Sequence, residues 1–147
     1  SEEYKYITFL RHPVQRVFSY YMTSLNHKNT TRHSIAKRSL ADLLINCWEV
    51  KNLYCQYISG FVKEVVNEDI YNIAKKNLEK FFFVGHFEKF DDSVKQLCNK
   101  LEVKLDYLPH VVLYSKTSHM PLNEDQESII KKYNEYDIKL YNEFFNN

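Results

Sequence analysis

Arg11, Pro13 and Ser19 are the residues whose types and spacing point to chemistry. A guanidinium carries a rigid fork of N–H donors that matches the oxygens of a phosphate or carboxylate. Pro13 suits the first position of a helix, where a missing N–H costs nothing and the fixed φ already fits. An arginine at the end of a strand, beside a helix N-terminus with its free N–H groups and positive dipole end, is a ready anion site. Ser19 falls two turns into that helix, stacked over Gln15 and Arg16 on the side away from the core. The junction also opens a basic segment: from Arg11 through Ala41 there are six Lys or Arg and no Asp or Glu. Such a run reads either as a solvated loop or as a surface for an anionic ligand.

Other candidates are weaker. His27 and His33 offer acid–base or metal-binding groups, but no matching ligand set surrounds them in the sequence. The three cysteines, Cys47, Cys55 and Cys98, form no CxxC pair, so neither a zinc motif nor a dense disulfide framework is indicated. Asn29-Thr30-Thr31 fits a glycosylation acceptor, relevant only to a secreted protein.

The elements that must position these residues follow from periodicity. Residues 4–10 form an apolar, β-rich run, expected of a strand buried in a parallel sheet. Val14, Val17, Phe18, Tyr21 and Leu25 give one face of a helix over 13–26. Residues 27–38 carry no period and read as a basic loop. Ser39 caps the next helix with Asp42 three positions on, and Leu40, Leu43, Leu44, Cys47 and Trp48 make its buried stripe. A helical run over 50–59 is expected to bury Leu53, Tyr54, Tyr57 and Ile58 and to stop at Gly60. Asn67-Glu68-Asp69 opens a helix with Ile70, Ile73, Ala74 and Leu78 inward, and 81–85 reads as a second buried strand. Phe90, Val94, Leu97 and Leu101 mark a further helix. Residues 103–122 read mostly as loop, with an extended run at 111–113, and Asn123 with Gln126 caps one long closing helix.

The 147 residues amount to a single domain, 1–147, and the helix-then-strand order argues for an α/β sheet rather than a bundle. The 12 Tyr and 10 Phe place many hydroxyl-bearing rings at the core margin or in a cleft. A net charge of +1 gives no global field for nucleic acid, and two glycines leave no room for most glycine-rich phosphate loops. No apolar run reaches the roughly 20 residues needed to span a bilayer.

At this point four segments, in order, resemble the membrane-associated carbohydrate sulfotransferases, the group of the heparan and uronyl 2-O-sulfotransferases. They are 7–21 with Arg11, Arg16 and Ser19; Asn52 through Gly60; Asn77 through Ser93, including Phe83-Val84-Gly85 and Glu88; and Asp137 through Tyr141. The resemblance implies a P-loop-NTPase-like sulfotransferase fold, here a helix-rich part with two or three short parallel strands. It also implies 3′-phosphoadenosine-5′-phosphosulfate as sulfuryl donor and a hydroxyl, of a carbohydrate, as acceptor. Arg11 and Ser19 would bind the donor's 3′-phosphate, with further contacts from Ser115, Lys116 and Thr117. His12 stands where the family commonly has aspartate, and would add positive potential if protonated. The family's phosphate loop, its lysine and the acceptor base lie upstream of the arginine strand, so the expectation is a partial domain that supplies the 3′-phosphate half of the donor site. The catalytic base is left unassigned. Two readings compete with this one: a non-catalytic module holding an anionic glycan or acidic partner on 28–38, and a small nucleotide kinase, disfavoured because no Walker-type loop is present.

Overall fold

The computed structural model describes residues 4–107 and 121–146. Ser115, Lys116 and Thr117, and the extended run at 111–113, lie outside the described residues. Strand β1 (Ile7–Leu10) leads into α1 (Pro13–Asn26), α2 (Thr31–Ala36) and α3 (Leu40–Asn46). After a 3-10 turn at Trp48–Val50 come α4 (Leu53–Ser59), α5 (Glu68–Leu78) and strand β2 (Phe83–His86). A second 3-10 turn, Phe87–Lys89, precedes α6 (Phe90–Lys100), and α7 (Glu124–Tyr133) and α8 (Glu135–Phe145) close the chain. Among the described residues no helix is long and apolar enough to cross a membrane.

The two strands pair in parallel, with Ile7 opposite Phe83 and Leu10 opposite His86. The architecture is therefore helix-rich α/β with a two-stranded parallel sheet, whose strands are joined by the helical crossover that parallel pairing requires. Gly85 faces Phe9 across the ladder, and a Cβ there would run into three carbons of the Phe9 ring. The glycine is thus the space into which the ring packs.

The core forms two clusters. One joins α1, α3 and α7 through Val14, Val17, Phe18, Leu43, Leu44 and Ile130. The other joins β1, α4, α5 and α8 through Leu10, Cys55, Tyr71, Leu78, Leu140 and Tyr141. The N-terminus of α1 borders both.

Several expectations change. The expected loop at 27–38 contains α2, a single capped turn and a half: Thr30 Oγ1 accepts His33 N–H at 3.0 Å, and Ala36 is buried against the first cluster. Six residues are too few to show a period. In α4 the buried residues are Cys55 and Gln56, whereas Tyr57 is 59% exposed. Gln56 satisfies its carboxamide on Lys51 O (2.6 Å) and Lys63 N–H (2.7 Å), which removes the penalty for placing it inside. Gly60 stops α4 at φ +85, as its lack of a side chain permits. Ile73, Phe90 and Leu101 lie on the surface rather than in the core. The second strand runs two residues later than its apolar run suggests at its start, and ends at His86. The closing helix is two helices, broken at Asn134.

Candidate functional site at the strand–helix junction

Arg11 stands one residue past β1, at the carboxyl end of the parallel pair. Its backbone is held by one hydroxyl from α4: Tyr54 Oη accepts Arg11 N–H at 3.1 Å and donates to the Arg11 carbonyl at 2.9 Å. The next N–H, that of His12, donates to Glu88 Oε1 at 2.7 Å. The guanidinium itself lies over the ring of Phe87, 5.2 Å from its centroid, and among the described residues it makes no hydrogen bond and no ion pair. A strand-end arginine of purely structural purpose would be expected to meet a carboxylate; among the described residues this one meets none.

Ser19 sits half-buried on α1, and its hydroxyl has no hydrogen-bond partner among the described residues. By helical rise it lies roughly 9 Å beyond Pro13 along the axis. No bond joins Arg11 to Ser19, so only a ligand would link them. The helix N-terminus differs from the expected open anion site: Glu88 already supplies an anion to the N–H of His12, the residue just before α1, and His12 caps nothing with its side chain. Burial lowers the His12 pKa below the usual imidazole value against the pull of Glu88, which works against a protonated, positively charged ring.

Glu88 is fixed from two further sides. Tyr141 Oη donates to Glu88 Oε2 at 3.1 Å and lies 3.0 Å from His86 Nε2, while His86 Nδ1 is 3.2 Å from Glu88 Oε2. Burial, reinforced by the nearby Glu88 charge, raises the Tyr141 pKa and keeps its proton in place.

Arg16 faces inward instead of toward a ligand. Its Nη1 donates to Glu49 O at 3.0 Å, its Nη2 to Asn134 Oδ1 at 3.3 Å, and Asp137 Oδ2 is 4.0 Å away. The guanidinium rests over Tyr54, 5.2 Å from the ring centroid. Asp137, fully buried, accepts Tyr54 N–H and Cys55 N–H, each at 2.9 Å, and so caps α4 from α8. Asn52, in a left-handed conformation at φ +43, returns the favour: its Oδ1 accepts Tyr136 N–H (3.1 Å) and Asp137 N–H (3.0 Å) at the start of α8. Burial raises the Asp137 pKa, with Arg16 and the two N–H donors pulling it back; burial lowers that of Arg16, offset by Asp137.

The remaining candidates bind locally. His27 Nδ1 meets Thr23 O at 2.8 Å and His33 Nδ1 meets Ser24 O at 3.2 Å, both at the end of α1. Among the described residues no group of three His, Cys, Asp or Glu stands together as a metal site. Arg32 of the basic segment pairs with Glu49 at 2.9 Å and lies over Tyr20. A cleft of about 200 Å³ between α1 and α2, lined by Tyr20, Thr23, Ser24, His27, Thr30 and Arg32, begins one residue past Ser19 and runs away from Arg11.

Sequence reasoning gave no role in the site to Tyr54, Phe87, Glu88, Asn52, Asn134 or Asp137. One signal was available: Ile130, Asn134, Asp137 and Tyr141 fall at i, i+4, i+7 and i+11, so an amide and a carboxylate occupy core positions of the closing stripe. No protein-family model, curated protein or solved structure matches the chain.

Proposed function

We propose that the junction binds the 3′-phosphate of 3′-phosphoadenosine-5′-phosphosulfate, and that the chain supplies this half of the donor site in a sulfotransferase acting on a hydroxyl, that of a carbohydrate. The observation that carries the reading is Arg11. Three bonds from distant side chains fix the backbone around it, yet among the described residues its guanidinium has no charged partner, and it lies over a ring, Phe87, that is 45% exposed. Such a guanidinium suits a phosphate, and a partly exposed aromatic ring next to it suits a planar base. Ser19 on α1, whose hydroxyl has no hydrogen-bond partner among the described residues, would add a further bond. In this reading the residues of the chain bind and orient the nucleotide, and the parallel strands deliver Arg11 at their carboxyl ends, where open α/β sheets hold ligands.

Calorimetric titration of 3′-phosphoadenosine-5′-phosphate into the protein tests the reading. Arg11→Ala should weaken binding at least tenfold, as expected for loss of a charged hydrogen bond worth about 1.5–3 kcal/mol, and Ser19→Ala by a smaller factor. Absence of binding, or binding indifferent to Arg11→Ala, overturns it. The alternative of an anionic-glycan module on 28–38 has less support, because Arg32 already pairs with Glu49.

A further inference from the structure

Arg11 and His12 offer two consecutive backbone N–H groups just where β1 ends and α1 has not begun, and neither is bonded within the sheet or the helix. Both are taken by side chains that come from far along the chain, Tyr54 across 43 residues and Glu88 across 76. Tyr54 also bonds the carbonyl between them, so the Arg11–His12 peptide unit is gripped on both edges. Neither gripping group is itself loose: Tyr54 lies under the Arg16 guanidinium with its N–H on Asp137, and Glu88 is held by Tyr141. A long arginine side chain loses much conformational freedom on binding, and part of that cost falls when its starting point is rigid.

We propose that Tyr54 and Glu88 are positioning residues for Arg11, a two-point clamp on the backbone that sets where the guanidinium leaves the sheet and so tunes its affinity for an oxyanion. The proposal rests on Arg11 as the phosphate ligand. In it Glu88 acts through the His12 N–H and does not touch the ligand, and Tyr54 acts through the Arg11 peptide edges.

The test is calorimetric titration of 3′-phosphoadenosine-5′-phosphate into the intact chain and into Tyr54→Phe, Glu88→Ala and Glu88→Gln, each checked by circular dichroism. Tyr54→Phe and Glu88→Ala should each weaken binding about tenfold, the scale of one lost hydrogen bond. Glu88→Gln keeps an oxygen for the His12 N–H and should restore most of the affinity, a rescue that a general loss of stability does not produce. Asn67→Ala removes the cap bond to Ile70 N–H on α5 and serves as the control for lost stability; it should bind as the parent does. Unchanged affinity in both Tyr54→Phe and Glu88→Ala overturns the clamp, as does an equal loss in Asn67→Ala. Tighter binding by Glu88→Ala also overturns it, since Glu88 would then compete with the anion. Where the parent binds, Arg11→Ala does not, and the clamp variants match the parent, the clamp fails and the phosphate reading stands. Where the parent does not bind, both fail.

Discussion

Replacing Asp137 by alanine tests how the helices are tied together. The carboxylate is fully buried and does three things at once: it caps α4 through Tyr54 N–H and Cys55 N–H, and it faces the buried Arg16 guanidinium at 4.0 Å. Helix α4 spans only Leu53–Ser59, too short to persist without tertiary support. Losing the cap costs about 1 kcal/mol, and leaving a buried cation without its anion costs about 3–5 kcal/mol. The two overlap because they share one carboxylate, so Asp137→Ala should lose about 4 kcal/mol in all. Urea denaturation followed by circular dichroism reads this as a lower midpoint with an unchanged slope, and a thermal scan as a fall of roughly 8–16 °C. Asp137→Asn, which keeps one acceptor and the shape, should lose about half as much. Pairing Asp137→Ala with Arg16→Met should recover part of the loss, because the stranded charge is then gone. A loss below about 1 kcal/mol in Asp137→Ala would refute the reasoning, since it would leave the carboxylate with no more than an ordinary surface role.

Two further outcomes follow from single positions. Gly85→Ala places a Cβ against the Phe9 ring and should cost about 1–3 kcal/mol in the same urea titration, with a changed near-ultraviolet signal from the displaced ring; an unperturbed variant would mean the strands can slide apart at no cost. The buried tyrosines make the fold sensitive to alkali. Burial pushes Tyr20 up to about 12 and raises Tyr54, Tyr71 and Tyr141 in the same direction. A phenol that holds its proton more tightly in the fold than in the open chain contributes stability below the unfolded value near 10. That contribution is lost as pH rises through the folded value, here about 12 for Tyr20. Phenolate absorbance and circular dichroism, recorded together, should show a fraction of the 12 tyrosines ionising only as helix is lost; ionisation of all of them in an intact fold would contradict it.

What was legible in the sequence was local. Pro13 after a β-rich run marks the strand–helix junction with no reference to the rest of the chain, and Ser39 with Asp42 and Asn123 with Gln126 are caps closed within three residues, as the structure has them. The break between α7 and α8 was not legible, because Asn134 and Asp137 keep the helical phase of Ile130 and Tyr141 and the pattern runs on unbroken. Its cause is long-range: the Asn134 carboxamide accepts from Arg16 and Asn52 and donates to Val50 O and Ile130 O. Arg11 could be singled out by its neighbours in sequence. The residues that hold it could not, since a side chain bonded to backbone many residues away leaves no period.

Tyr54 connects the polar interior to the junction. Its N–H belongs to the N-terminus of α4, its hydroxyl grips Arg11 two residues before α1, and Asn52, just ahead of α4, caps α8, so three helix N-termini are linked through neighbouring residues. Helix N-termini each carry roughly half a positive charge, and bringing three together beside the Arg16 guanidinium is unfavourable unless anions are supplied. The structure supplies them individually: Glu88 to α1, Asp137 to α4 and Arg16, and the Asn52 carbonyl oxygen to α8. Each positive end in the cluster is thus met from within the protein. Arg11, beside the same cluster, is a cation for which the described residues provide no counter-charge, its guanidinium lying over the Phe87 ring instead.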